Sequence, residues 1–177
     1  MRLKLLGLLT LPIAGVAALA RRVDPDDMAG SATVRMDAPI DNVWSLITDV
    51  TNTGQYSEET FDAEWLGDAT EAAVGARFRG RVKRNGRGPA YWTECRVDTC
   101  DRHADFQFTV VAGDRAVNTW RYQFSPVEGG TEVTESFQLA PSPFTKAYWA
   151  VAGPLRRPTN IRNMQSTLEN VRTIVEA

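Results

Sequence analysis

The chain has 177 residues, 43% hydrophobic and 24% charged, with a formal net charge of −2. That length allows one domain with a sizeable core, and the charge offers nucleic acid no bulk electrostatic attraction. One histidine, His103, and two cysteines, Cys95 and Cys100, are too few soft ligands for a structural zinc site, so no metal and no cofactor is expected.

Residues 1–22 stand apart from the rest. Arg2 and Lys4 precede an uncharged, mostly apolar run from Leu5 to Ala20, and Arg21-Arg22 close it. The run admits three readings. It is a secretory signal peptide with Ala18-Leu19-Ala20 as the cleavage site, or an uncleaved membrane anchor. As an anchor it is short, about 24 Å against a hydrocarbon core of about 30 Å. Both of these make the protein exported or membrane-associated through residues 1–22. In the third reading translation starts at Met28 and the protein is cytoplasmic. Residues 23–31, with Asp24, Pro25 and Asp27 among them, read as a polar linker, and the domain itself as 32–177.

Ala32 to Asp37 alternates as a first strand, and Pro39 opens the next helix. Ile40, Val43, Trp44, Ile47 and Val50 recur at three- and four-residue spacing, one apolar stripe of a helix over 40–50. Thr51-Asn52-Thr53-Gly54 breaks it, and Tyr56 to Thr60 forms a short helix or turn. Strands are then predicted over 62–66, 75–83, 91–98, 105–111, 117–124 and 131–139. The clearest is 75–83, where Ala76, Phe78, Gly80 and Val82 alternate with Arg77, Arg79, Arg81 and Lys83. Asn85-Gly86 predicts a tight hairpin turn. A short aromatic helix, 144–152, ends at Gly153-Pro154. The final helix runs over 159–176, where Ile161, Met164, Leu168, Val171 and Val175 make an apolar seam. The elements together predict an α+β fold.

The two cysteines are five residues apart in one predicted strand, an odd spacing that places them on opposite sheet faces. His103 sits in a polar turn, and a histidine-dependent triad would rest on it entirely. No phosphate-binding loop, dinucleotide-binding glycine pattern or nucleophile elbow is present.

The stretches Ala38-Pro39-Ile40-Asp41-Asn42-Val43-Trp44, Val74-Gly75-Ala76-Arg77-Phe78, Trp92-Thr93-Glu94-Cys95-Arg96-Val97 and Thr119-Trp120-Arg121-Tyr122 stand in a characteristic order. So do Gly129 to Phe137 and Met164-Gln165-Ser166-Thr167-Leu168. Over residues 32–176 the chain resembles the START-like superfamily, in particular the polyketide cyclase/dehydrase-like proteins called SRPBCC. Where relatives often carry Trp-Ser-Pro, this chain has Tyr56-Ser57-Glu58. The resemblance implies a helix-grip fold, a curved antiparallel sheet wrapped around a long C-terminal helix. It also implies an apolar pocket between the two for a lipid, a polyketide or a similar small hydrophobic ligand. It implies no particular reaction.

Alternation then selects residues. If Phe78 points inward, so do Cys95, Phe106, Phe108, Trp120, Tyr122, Val133 and Phe137, with Met164 and Leu168 facing them from the helix. Such residues either line an adaptable pocket or fill a core. Glu135 shares the parity of Val133 and Phe137. Buried there, its carboxylate needs a partner or a proton, either as a structural pair with a group such as Tyr122 or as a ligand contact or acid/base. Tyr56, Tyr91 and Thr93 are further polar candidates.

The cations Arg77, Arg79, Arg81, Lys83, Arg84 and Arg87 form a stripe and hairpin tip, read as a solvated face balanced by acids or as a contact for anionic headgroups. The helix bearing Phe144, Tyr148, Trp149 and Val151 is a lid, a membrane-touching element or a packed one. Three functions follow: binding of a small hydrophobic ligand, a polyketide cyclase or dehydratase reaction, or a membrane-surface or partner-binding module with a filled core.

Overall fold

The computed structural model of the chain describes residues 13–86 and 88–177. The first twelve residues of the apolar leader and Arg87 of the basic stripe lie outside the described residues.

Helix α1 (Ile13–Ala20) leads through a tight turn, Pro25–Met28, into strand β1 (Ala29–Met36). Helices α2 (Ile40–Thr48) and α3 (Thr53–Tyr56) follow. Six strands come next: β2 (Thr60–Leu66), β3 (Arg77–Val82), β4 (Tyr91–Asp101), β5 (Asp105–Ala112), β6 (Arg115–Val127) and β7 (Gly130–Leu139). Helix α4 (Pro143–Val175) ends the chain. The strands form one antiparallel sheet in the order β1-β7-β6-β5-β4-β3-β2, curved around α4. This is the helix-grip fold.

Period-two alternation decides which face is covered. Phe78, Cys95, Val97, Phe106, Tyr122, Phe124, Val133 and Phe137 are buried on the inner face, and Met164, Leu168 and Val171 meet them from α4. Helix α2 closes the layer with Val43, Trp44 and Ile47. At the Tyr56-Ser57-Glu58 position the Ser57 hydroxyl accepts from the Thr60 backbone N–H at 3.1 Å, so it turns the chain into β2 without a proline.

Four sequence expectations are corrected. Residues 23–31 are not a free linker: Met28 is wholly buried, the Trp149 indole donates to the Asp27 carbonyl at 2.9 Å, and β1 already begins at Ala29. One buried methionine anchors a stretch whose composition is otherwise polar. Asn85-Gly86 does not make a two-residue hairpin. It lies in a short 3-10 turn, Arg84–Gly86, within a longer β3–β4 connection, with Gly86 at φ 63°.

The cysteines lie on the same side. A bulge in β4 between Val97 and Thr99 inserts one residue and reverses the alternation beyond it. Cys100 therefore pairs with the inward-facing Phe106, as Cys95 pairs with Phe78 and Val110.

The fourth correction concerns α4. The expected break at Gly153-Pro154 and restart at Thr159 do not occur; Pro154 and Pro158 lie inside one helix. A proline inside a helix removes an N–H and costs about 3 kcal/mol. Both prolines are on the exposed side, where water can satisfy the freed carbonyls, while Trp149, Gly153 and Asn160 are buried on the other. Gly153 has a packing role. A Cβ there would stand 2.8 Å from the Trp149 ring, so only glycine lets the indole lie against this turn. Ser142 caps the helix start in a reciprocal box with Thr145.

Candidate functional site

The layer between sheet and α4 contains few polar groups, and Glu135 is central among them. It is 4% exposed on the inner face of β7, opposite Tyr122 of β6 and Ala32 of β1. The Tyr122 hydroxyl donates to Glu135 Oε1 at 2.9 Å. Oε2 is buried and has no partner. Burial pushes the Glu135 carboxyl up to about 8, the Tyr122 hydrogen bond working the other way. At neutral pH the group therefore holds its proton and can donate a hydrogen bond from Oε2.

Tyr56 is buried beside this pair, and its hydroxyl donates to the Ile47 carbonyl at 3.3 Å. Burial, with the Glu135 charge adding to it, pushes both tyrosine hydroxyls well above the ordinary range.

Among the described residues, Trp65 Nε1 on β2 and Asn160 Oδ1 on α4 are further buried polar atoms without a hydrogen-bond partner, while His103 Nε2, also buried, meets only the Asp41 carboxylate. Neither Trp65 nor Asn160 is among the sequence candidates. Asn160 stands four residues before Met164 on the same helical stripe, so extending the apolar seam backward would have reached it. Trp65 shares the strand parity of buried Ala63 and packs edge-on to Phe78.

Of the predicted ligand residues, Tyr56, Phe78, Cys95, Tyr122, Glu135, Phe137, Met164 and Leu168 are buried, whereas Phe108 and Trp120 are half-buried. Those last two are neighbours across β5 and β6, as are half-buried Val110 and Asn118. Tyr148 of α4, which packs by Trp149, is half-buried as well. Burial pushes the Cys95 thiol up to about 12, so it packs as a hydrophobe and not as a nucleophile.

A half-buried ion pair ties the entry to β2 onto α4. Arg156 donates to both carboxylate oxygens of Glu59, at 2.9 and 2.6 Å, and the Asn163 amide adds a bond of 3.1 Å. Burial works against the guanidinium's charge, but Glu59 outweighs it and holds Arg156 above its ordinary value.

Among the described residues, two open hollows of about 500 and 520 Å³ lie away from the Phe108 and Trp120 rings. One spreads over polar outer-face residues such as Gln107, Thr119, Arg121 and Ser136, and shares only Phe137 with the predicted ligand residues. The other sits by the β2–β3 connection around Gly67 and Ala76. Between sheet and helix several rings are in contact, among them Phe78 with Phe108, Trp120 with Phe137, and Phe137 with Trp149.

The basic stripe behaves as a balanced surface over much of its length. Arg77 pairs with Glu94 and Arg79 with Glu64, and Arg81 lies over the Phe61 and Trp92 rings. His103 lies 2.8 Å from Asp41 and edge-on to Trp44, which makes it a local tie between turn and helix. Among the described residues no cluster of three or more histidine, cysteine or acidic side chains is placed to hold a metal.

Residues 29–176 match the family described as polyketide cyclase / dehydrase and lipid transport. Among solved structures, the Polyketide_cyc-like protein Cgl2372 from Corynebacterium glutamicum is 26% identical. It aligns over 84% of this chain and 91% of its own, with a TM-score of 0.57. Protein NE0264 from Nitrosomonas europaea gives a TM-score of 0.62 at 13% identity, over 87% of this chain and 97% of its own. Protein Ms6760 from Mycobacterium smegmatis gives 0.57 at 17% identity, over 88% and 95%. These last two likenesses are of fold alone. No curated protein matches the chain.

Proposed function

We propose, from the premise that this chain belongs to the polyketide cyclase / dehydrase and lipid transport family, that it binds a small hydrophobic molecule between the sheet and α4. The observation that carries this reading is Oε2 of Glu135, buried on an apolar wall without a partner. An unpaired buried polar atom costs about 1–3 kcal/mol. A ligand hydroxyl or carbonyl placed against it recovers that cost and fixes the ligand's orientation. Half-buried Phe108 and Trp120, neighbours across β5 and β6, are the rings that move aside for entry. The ligand's apolar body then takes the place of their mutual contacts.

Native mass spectrometry of the full chain, followed by organic extraction, tests this reading. The expected result is one apolar molecule per chain, bound more weakly by Glu135→Gln and with altered shape preference by Phe108→Ala. Unchanged affinity in both variants removes the site assignment.

The Glu135–Tyr122 pair also favours a second reading, a cyclase- or dehydratase-type reaction. A carboxyl that keeps its proton at neutral pH is suited to general acid work on a carbonyl or hydroxyl. Under that reading Glu135→Gln abolishes turnover while leaving ligand affinity within a few-fold.

A further inference from the structure

The outward side of α4 carries apolar residues that nothing in the described chain covers. Phe144 is 81% exposed, Val151 54% and Leu155 78%. At 3.6 residues per turn these three positions fall within about 40° of one another, so they form one ridge along the first half of the helix. Exposed Arg162 continues the same line. An isolated exposed leucine needs no explanation, but three large side chains in line do.

Two observations identify the occupant. The first is the position of α1, which packs against α4 and itself presents Leu19, 40% exposed. Helix α1 is the last part of the uncharged run Leu5 to Ala20. The end of the most apolar segment of the chain thus touches the helix that carries the ridge. The second is charge. Exposed Arg162 lies in line with the ridge and exposed Arg21-Arg22 follow α1 directly, whereas Arg156 and Arg157 are turned to the packed side of α4, held by Glu59 and the Ala29 carbonyl. An apolar ridge that ends in an arginine, beside a helix followed by two more, suits the boundary of an anionic bilayer, with the arginines reaching back to the headgroups. A protein partner fits less well, since a stable interface takes about 800 Å² from each side and the ridge is three side chains long.

We infer that α1 and the Phe144–Val151–Leu155 ridge of α4 together rest on an anionic lipid bilayer surface. The chain lies on the membrane by this face; among the described residues no helix is long and apolar enough to cross one. The inference is independent of whether a ligand occupies the inner layer.

The test uses the full chain with a Cys100→Ser background, an environment-sensitive dye on Leu155→Cys or on Val74→Cys, and vesicles of phosphatidylcholine with or without phosphatidylglycerol. Val74 is 69% exposed on the β2–β3 connection and serves as the control. The expected result is co-flotation with phosphatidylglycerol vesicles, a blue shift and quenching by a lipid-borne quencher at position 155, and neither at 74. In parallel, the doubly substituted Phe144→Asp, Leu155→Asp chain, still folded by circular dichroism, loses vesicle binding on the order of tenfold. Three outcomes overturn the inference. The chain remains in the buffer, or it floats while the dye at 155 stays water-like, or the shift at 155 arises without vesicles as protein concentration rises, which makes the ridge a dimer contact.

Discussion

Tyr122 and Glu135 face each other across β6 and β7, and the tyrosine hydroxyl binds one carboxyl oxygen at 2.9 Å while the other is left buried and unpaired. This half-satisfied pair sets the protein's expected pH behaviour. Burial holds the Glu135 carboxyl at about 8, against 4.5 for an ordinary glutamate. The folded state therefore binds more protons than the unfolded state between those two values, and stability falls as pH rises across that window. Below about 4.5 both states are protonated and the penalty is absent. Glu135→Gln keeps an acceptor for Tyr122 but cannot ionise, so denaturant titrations between pH 5 and 9 are expected to show a flatter profile than the parent.

Removing the donor acts in the opposite sense. Tyr122→Phe leaves Glu135 Oε1 buried without its bond, at an expected cost of about 1–3 kcal/mol at pH 7. The hydrogen bond lowers the Glu135 value, so its loss moves the upper edge of the pH window further upward. Urea unfolding at several pH values reads both effects.

Gly153→Ala opposes local helix preference to packing. Alanine favours a helix by about 1 kcal/mol, but its Cβ would meet the Trp149 ring at 2.8 Å. Overpacking of this kind costs about 1–3 kcal/mol. The variant is expected to be less stable and to show altered tryptophan emission, and a gain in melting temperature would contradict the packing role.

Glu59→Gln keeps the size of the side chain but removes the charge that Arg156 meets at 2.6 and 2.9 Å. The pair is mostly shielded, with side chains 13% and 16% exposed. The expected loss is about 2 kcal/mol, in the range of hydrogen bonds to charged groups, and added salt is expected to change it little. Hydrogen exchange in residues 57–60 is expected to quicken, because this pair fastens that segment to α4.

The two cysteines are expected to react in order. Burial raises both thiols, Cys95 to about 12 and Cys100 while only half-buried. Iodoacetamide at pH 8 is expected to label Cys100 first and Cys95 only on unfolding, as peptide mass analysis would show. Both thiols are free, so reduction should not change the intact mass.

The inner face of the sheet was legible because its signal is local and repeated. Phe78, Tyr122, Val133 and Phe137 follow simple alternation, and the same parity located Glu135. The features that escaped depend on single insertions or distant contacts. One extra residue in β4 moved Cys100 to the face of Cys95, and no composition cue marks a bulge. The continuity of α4 through Pro154 and Pro158 depends on burial of Trp149 and Asn160, which outweighs the local preference for a break. Glu59 and Arg156 are nearly a hundred residues apart in the chain and look like ordinary surface charges until the fold joins them. The interior packing of Phe108, Trp120 and Phe137 was also out of reach, since alternation tells which side a ring faces and not whether the space beyond it is open.

The pairing of β1 with β7 bears on how the chain assembles. Strands β2 to β7 join neighbours in sequence, but β1 matches Ala29 to Gln138 and Met36 to Thr131. Closing so long a loop is entropically costly and slow compared with the hairpins. During synthesis the first strand has no partner until almost the whole sheet has emerged, and it waits unpaired directly behind the apolar leader. Until β7 is made, the chain therefore carries an open sheet edge next to its most apolar segment, so the slow step of folding and the burial of residues 29–36 are one event.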